Sequence, residues 1–129
     1  MDPIADMLIR IKNAAAVKKE TALVPYSKLK FELARILKDN GYLTTVEKRS
    51  KKKQRFLELA LAYDAGGSGR ISGLRRISKS SRRVYKGAKE LRPIKGGQGL
   101  AVISTSQGLK TDAQAKKLNL GGEIICEIW

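Results

Sequence analysis

Three consecutive hydroxyl side chains, Ser104, Thr105 and Ser106, stand near the end of an uncharged stretch that runs from Gly99 to Gly108. The stretch begins as an apolar run, which is typical of a buried strand, whereas the whole chain carries a formal net charge of +15. Short hydroxyl side chains can donate to and accept from base edges, phosphates and ribose 2′-OH groups. A neutral donor cluster in a basic chain therefore indicates selective recognition of a partner.

Two other interpretations of this cluster stay open at the level of sequence. Hydroxyls at a strand end often bond to the local backbone and only shape a turn. A nucleophilic serine would need a base, and the chain has no histidine and no nucleophile-elbow motif. Lys110 is the nearest alternative base in the sequence, so a hydrolase using Ser106 with Lys110 remains a minor candidate.

The imbalance of 27 Lys+Arg against 12 Asp+Glu predicts a polyanionic partner, either nucleic acid or an anionic surface. No apolar run has transmembrane length and no signal peptide is evident, so we expect no membrane partner. Charge alone would also suit a general nucleic-acid compaction protein. Ten basic residues and one acid lie between residues 70 and 95; the basic ones are Arg70, Arg75, Arg76, Lys79, Arg82, Arg83, Lys86, Lys89, Arg92 and Lys95.

The chain lacks the residue types that most enzymes and metal sites need. It has no histidine and a single cysteine, Cys126, which we expect to be a buried, inert thiol in a strand. Zinc sites and the usual acid–base catalysts are thereby almost excluded. We expect no enzyme activity, no metal, no cofactor and no small-molecule substrate.

Two amphipathic helices are predicted in the first half of the chain. Asp2-Pro3 is typical of a helix start, and Ser27 is predicted to cap a second helix that ends near Asn40. Their predicted buried stripes are Ile4, Met7, Leu8 and Ile11 in the first helix, and Leu29, Leu33, Ile36 and Leu37 in the second.

The remaining elements are predicted mainly as strands. Thr111 and Gln114 match a capping box and predict a short helix through about Leu118. In the last strand we expect Ile124, Cys126 and Ile128 on one face and Ile125 on the other. The predicted strands are 21–24, 42–47, 55–63, 71–78, 82–85, 100–103 and 123–129, and the basic segment 48–54 is predicted as a flexible loop.

A glycine-rich segment, residues 65–69, predicts a boundary between two lobes. The predicted fold is α+β with two small lobes. Residues 1–64 would form a helix–strand–helix–strand–strand lobe. Residues 65–129 would form a mainly β lobe with a short helix, and this second lobe is expected to bind RNA.

Further contact candidates come from the basic segments. Lys28 and Lys30 occupy the first turn of the second helix, where exposed amides and two lysines could bind a phosphate. Tyr85 stands among Arg82, Arg83 and Lys86, where its ring could stack on a base or ribose, although a packing role in a sheet is equally compatible. Arg83 and Arg55 complete the predicted basic contacts.

Several motifs together resemble one family over essentially the whole chain. The opening Asp2-Pro3-Ile4-Ala5-Asp6-Met7-Leu8 is similar to the start of bacterial small-subunit ribosomal protein eight, a universal family. Arg82-Arg83-Val84-Tyr85 resembles the central signature of that family. The segments 99–108 and 121–126 resemble its C-terminal signature.

The resemblance implies a structural protein of the small ribosomal subunit in the cytoplasm. It implies primary binding of 16S rRNA in the central domain, a role in assembling the platform beside neighbouring small-subunit proteins, and repression of its own operon mRNA. Implied RNA contacts are Ser104, Thr105 and Ser106 with Gly122 and Glu123, joined by Tyr85 and Lys30. Lys110 stands where the family usually has methionine and could add a phosphate contact, while Ile9 and Glu127 also depart from the family pattern.

Overall fold

The computed structural model describes residues 2–129. The chain divides into two compact units, one ending at Ile71 and the other spanning Ser72–Trp129. Helices and strands alternate in the first unit, and the second is mostly β with one short helix. The predicted α+β class is confirmed.

The observed division falls later in the chain than residue 64, because the glycine-rich segment folds back on the first unit. Tyr63 forms a β-bridge with Gly69. The Arg70 N–H then donates to the Ala62 carbonyl at 3.0 Å. The segment therefore closes the first unit rather than linking two lobes.

The first unit is a three-stranded antiparallel sheet with two helices. Its strands are arranged in the order β1-β3-β2, so β1 is an edge strand. Its elements are α1 (Pro3–Ala16), β1 (Thr21–Pro25), α2 (Lys28–Asp39), β2 (Leu43–Lys51) and β3 (Gln54–Leu61).

Helix α1 begins as the sequence predicts. The Asp2 carboxylate accepts hydrogen bonds from the Ile4 and Ala5 N–H groups at 3.0 and 3.3 Å, which satisfies backbone donors that the first helical turn leaves free. The predicted apolar stripe is confirmed, since all four of its side chains are buried, and Ala14 extends it.

In α2 the buried stripe is rotated relative to the prediction. Ser27 caps the helix by accepting from the Lys30 N–H at 3.1 Å, and Leu33 and Leu37 are fully buried as expected. The prediction was wrong at Leu29, which is 41% exposed. Lys30 takes the inward position: it is 7% exposed, and its Nζ donates to the Pro25 carbonyl on the edge of β1 at 3.0 Å. A lysine can do this because its aliphatic stem packs while its ammonium group reaches a carbonyl.

The basic segment after Glu47 is strand rather than flexible loop, which corrects the prediction. Strands β2 and β3 remain paired out to Lys51 opposite Gln54, and only Lys52 and Lys53 form the turn. Both turn residues have positive φ, 52° and 66°. This is the backbone of a type I′ turn, whose twist matches a β-hairpin. The sequence concealed the turn because lysines stand where asparagine and glycine are usual.

The second unit is a five-stranded sheet in the order β4-β8-β6-β7, with β5 also paired to β8. The two predicted strands before residue 86 are shorter than expected. Lys79 and Arg82 form an isolated bridge around Ser80 and Ser81. The elements are β4 (Leu74–Arg76), β5 (Tyr85–Lys86), β6 (Leu100–Thr105), β7 (Gly108–Thr111), α3 (Asp112–Lys117) and β8 (Gly122–Ile128), with 3₁₀ turns at Ala88–Glu90 and Lys95–Gly97.

Strand β7 was missed by the sequence analysis, whereas α3 was predicted. β6 and β7 form a hairpin in which Thr105 pairs with Gly108, and the turn is closed by Gly108 with φ of 98°. The predicted capping box of α3 is confirmed: the Thr111 hydroxyl accepts from the Gln114 N–H at 3.1 Å, and the Gln114 side chain accepts from the Thr111 N–H at 3.0 Å.

A β-bulge in β8 overturns the predicted alternation of that strand. Val102 pairs with Cys126 and the next residue, Ile103, pairs with Ile124, so Ile125 is an extra residue on β8. Ile125 is buried at 5% exposure although it was assigned to the opposite face from Ile124. The bulge also shifts the register, and this brings Glu123 opposite Ser104.

The core of the second unit forms where α3 covers the sheet. Ala101, Ile103 and Ile124 from the central strands pack with Ala115 of α3 and with Leu91. Cys126 is fully buried and free, and burial raises the pKa of its thiol to about 12. The expected inert cysteine is confirmed. Over residues 2–129, no helix combines the length and apolar character needed to span a membrane.

Replacing Gly122 with alanine should destabilise the fold, because the new methyl carbon would lie 2.9 Å from the Ser104 carbonyl carbon. Overpacking of this kind costs about 1–3 kcal/mol of unfolding free energy. The matched control is Gly87→Ala, since a methyl group there would meet nothing nearer than 3.4 Å. Denaturant unfolding of both variants checks this expectation, and equal midpoints would contradict it.

Candidate nucleic-acid interface

Four side-chain positions form a row across the second sheet. Strand register places Leu109 opposite Ser104, Ser104 opposite Glu123, and Glu123 opposite Tyr85. Cross-strand partners project to the same side of a sheet, so these residues share one face. We call this row, together with the adjoining turn residue Ser106, the hydroxyl face.

The hydroxyl face lies on the opposite side of the sheet from α3. Ile103 packs with Ala115 of that helix, and Ser104 is the next residue along β6, so its side chain points the other way. β6 is fully buried from Leu100 to Ile103 and becomes half-buried at Ser104. The first two hydroxyls are therefore presented at the end of a rigid strand, as the sequence predicted.

The three hydroxyls differ in what they bind. Thr105 Oγ1 donates to the Gly108 carbonyl at 2.7 Å and accepts from the Gln107 N–H at 3.1 Å, so it is committed to the turn. Within residues 2–129, the hydroxyls of Ser104 and Ser106 make no hydrogen bond, and Ser106 is exposed. The turn interpretation thus applies to Thr105, and the two serines keep their donors and acceptors for a partner.

Gly122 contributes by lacking a side chain. The β8 backbone approaches Ser104 so closely at Gly122 that no larger residue fits without displacement. Gly121 is packed in the same way, since a methyl group there would lie 2.6 Å from the Lys86 carbonyl oxygen. The two glycines let β5, β8 and β6 meet closely beneath the hydroxyl face.

Glu123 is held by partners that the sequence analysis did not identify. Its Oε2 accepts from the Ser78 hydroxyl and from Arg83 Nη1, the latter at 3.1 Å. Ser78 is completely buried and its Oγ also accepts from the Val84 N–H at 3.3 Å. The Ser78 hydrogen bond, followed by the Arg83 hydrogen bond and the nearby Arg83 and Arg76 charges, lowers the pKa of the Glu123 carboxyl despite partial burial.

The Ser78 and Arg83 donors both bind the same carboxylate oxygen of Glu123, Oε2. The Arg76 charge also acts on this carboxylate. An ionised carboxylate accepts hydrogen bonds only, so Glu123 can accept from an amino group or a 2′-OH but repels phosphate. Nothing in the sequence marked Ser78 for this role, because it lies far from Glu123 along the chain.

Tyr85 presents an open aromatic surface beside Glu123. Its side chain is among the exposed large apolar groups of the protein, at 66%. It pairs with Glu123 at the edge of the sheet rather than packing in the core. This exposure argues against a packing role for Tyr85 in the sheet. An exposed ring near Arg83 in the sequence is placed to stack on a base or ribose.

The other predicted contact residues lie elsewhere. Lys110 pairs with Ile103 and so projects on the α3 side of the sheet, away from the serines. The same strand register keeps the Lys110 side chain away from the Ser106 hydroxyl. This argues against a hydrolase that uses Ser106 with Lys110. Lys30 and Arg55 belong to the first unit, where Lys30 is buried against Pro25 and the Arg55 guanidinium lies 4.1 Å from the Tyr26 ring centroid.

Removing the Glu123 charge should reduce stability in a pH-dependent way. A carboxyl with a lowered pKa stabilises the fold above its unfolded pKa, and that stabilisation is lost as the pH falls through its folded pKa. Glu123→Gln should therefore cost about 1 kcal/mol at pH 7, and the difference from the unaltered protein should shrink toward pH 3. Urea titrations at several pH values measure this. Glu20→Gln, at an exposed position, is the control, and a gap that is constant with pH would contradict the expectation.

Comparisons with known proteins identify the family of this chain. A family model described as Ribosomal protein S8 matches residues 2–129. Proteins named small ribosomal subunit protein uS8 from Halothermothrix orenii and Clostridioides difficile are 46% and 48% identical over 128 residues, covering 99% of this chain and 97% of each relative. A protein of the same name from Xanthomonas euvesicatoria is 48% identical over 126 residues, covering 97% of this chain and 95% of the relative. The match spans both units, and the chain therefore belongs to the ribosomal protein S8 family.

Proposed function

We propose that this chain is a structural, non-enzymatic constituent of the small ribosomal subunit that binds 16S rRNA through its hydroxyl face. The observation that carries the proposal is the pair of unengaged hydroxyls, Ser104 and Ser106, beside an exposed tyrosine in a strongly basic unit. The relatives at 43–48% identity are named as small-subunit proteins, and the family is not an enzymatic one.

Attraction and recognition are assigned to different residues. The basic side chains between residues 70 and 95 outnumber acids ten to one, and such charges draw in and orient the phosphate backbone without reading sequence. Ser104 and Ser106 then bind base edges or 2′-OH groups. This division of roles separates the proposal from a compaction protein that acts by charge alone.

Glu123 and Tyr85 complete the recognition surface. The Glu123 carboxylate accepts from a base amino group or a 2′-OH, and its negative charge keeps phosphates away from that point. The Tyr85 ring offers a stacking surface at the other side of Glu123. A base that lies between the Tyr85 ring, the Glu123 carboxylate and the Ser104 hydroxyl could use all three groups. Single-stranded and irregular RNA exposes such bases.

The finer role follows from family membership and is part of the proposal. We place the binding site in the central domain of 16S rRNA, where the protein would assist assembly of the platform together with neighbouring small-subunit proteins. The same face would bind a similar RNA structure in the mRNA of its own operon and repress translation. Competition between that mRNA and a central-domain fragment for one protein site tests the repressor role.

Ser106→Ala should weaken binding to a central-domain 16S rRNA fragment about five- to tenfold, because one uncharged hydrogen bond to RNA contributes about 1 kcal/mol. The salt dependence of binding should not change, since no phosphate contact is lost. Filter binding or calorimetry across a salt series gives both quantities.

The matched control is Ser68→Ala, an exposed serine in the first unit. An unrelated RNA of the same length tests specificity, and the protein should bind it more weakly than the fragment. If Ser106→Ala binds the fragment as tightly as the unaltered protein does, the recognition role of the hydroxyl face is wrong.

A further inference from the structure

The end of the β2–β3 hairpin is a two-stranded basic ribbon, Ser50–Arg55. Strand β1 pairs with β3 only up to Pro25 opposite Phe56, so the rungs Ser50–Arg55 and Lys51–Gln54 extend beyond the third strand. The ribbon contains Lys51, Lys52, Lys53 and Arg55 and no acidic residue.

The lysines at the tip have unengaged ammonium groups. Lys51, Lys52 and Lys53 are exposed and make no ion pair or hydrogen bond with their side chains in the described part of the chain. The neighbouring Arg49 differs, because it forms ion pairs with Glu47 at 2.6 Å and with Glu58 at 3.7 Å. The tip therefore carries three lysine charges that no acidic side chain compensates.

The base of the ribbon is anchored on aromatic rings. Lys48 Nζ lies 4.4 Å from the Phe31 ring centroid, and the Arg55 guanidinium lies 4.1 Å from that of Tyr26. The Tyr26 N–H also donates to the Arg55 carbonyl at 3.1 Å. These cation–π contacts and the backbone bond fix the direction of the ribbon, so its charges are held in place rather than carried on a loose loop.

The turn itself uses residues that are unfavourable for its backbone. Lys52 and Lys53 both adopt positive φ, a conformation that costs free energy for any residue with a Cβ and that type I′ turns normally assign to asparagine and glycine. Strain kept at an exposed, charged tip suggests a function for the side chains rather than for the turn.

We propose that the ribbon tip, Lys51, Lys52 and Lys53, binds the phosphate backbone of structured RNA as a second contact that is independent of base sequence. The inference rests on the proposed RNA-binding function and adds to it a site in the first unit. Lysine ammonium groups bind phosphates as point charges, and the ribbon tip has no apolar side chain that could enter a lipid bilayer. RNA is therefore favoured over a membrane surface.

The decisive variant is Lys52→Asn with Lys53→Gly, which removes two charges and installs the preferred turn residues. Its unfolding midpoint in denaturant should rise, because the strain is relieved. Its affinity for RNA should nevertheless fall about tenfold near 0.1 M salt, and the slope of log affinity against log salt should become shallower by about 1.4–1.8. If the turn had only a structural role, the double variant would be more stable and would not bind RNA more weakly.

Lys18→Asn is the matched control for Lys52→Asn, because Lys18 is also an exposed lysine in the first unit with φ of 58°. Binding is measured to the central-domain fragment and to an unrelated RNA hairpin. The ribbon variant should lose the same factor on both RNAs, whereas Ser106→Ala loses affinity only for the fragment. A protein with no preference for the fragment would contradict the proposed function while leaving the ribbon effect measurable.

Two results would overturn the ribbon site. One is an unchanged affinity and salt slope in the double variant, or an equal loss in Lys18→Asn. The other is tighter ribbon-dependent binding to vesicles containing anionic phosphatidylserine than to either RNA, which would assign the tip to a membrane surface.

Discussion

The contact between the backbones of β6 and β8 at Ser104 and Gly122 determines how the second unit presents its polar groups. β8 is the strand to which β4, β5 and β6 all pair, so its register controls the whole sheet. The bulge at Ile125 shifts that register by one residue between Cys126 and Ile124, and such a shift exchanges the faces of the side chains from Ile124 back to the start of β8. Glu123 consequently meets Ser104 and Tyr85 on one face, and Gly122 makes the close approach possible.

Charge and shape then act at different ranges. The basic side chains of both units create a field that extends over about a Debye length, whereas the serines, Tyr85 and Glu123 act only on contact. Two acidic residues reduce the positive field locally. Glu127 forms an ion pair with Arg75 at 3.0 Å, and Glu123 forms one with Arg83 at 3.1 Å. The two carboxylates fix arginines that would otherwise move freely, and so they shape a surface whose net charge remains strongly positive.

Local signals allowed much of the fold to be predicted from sequence. The caps at Asp2, Ser27 and Thr111 are confirmed because each depends on neighbours within a few residues. The hydroxyl run was recognisable as a strand end because apolar and polar residues adjoin there. The register could not be predicted, since the bulge depends on a partner strand more than twenty residues away in the chain.

Other failures have equally specific causes. Lys30 was predicted as a phosphate contact and not as a buried side chain, because lysine is rarely buried, yet its ammonium group reaches a carbonyl on the edge of β1. The predicted end of strand β2 came too early, because Lys52 and Lys53 are not typical turn residues and did not mark the turn. The Ser78–Glu123 hydrogen bond joins positions 45 residues apart, so no sequence spacing could indicate it. The RNA contacts themselves stay predictions.

The buried thiol of Cys126 is a built-in reporter of how often the second sheet opens. The sulfur sits in β8, the most extensively paired strand of the second sheet, and its raised pKa keeps it protonated. Only a thiolate reacts readily with alkylating reagents, so modification must wait until β8 separates from its neighbours. The rate at which this single cysteine is labelled therefore reports how often the sheet that carries the hydroxyl face comes apart, without any probe being added to the protein.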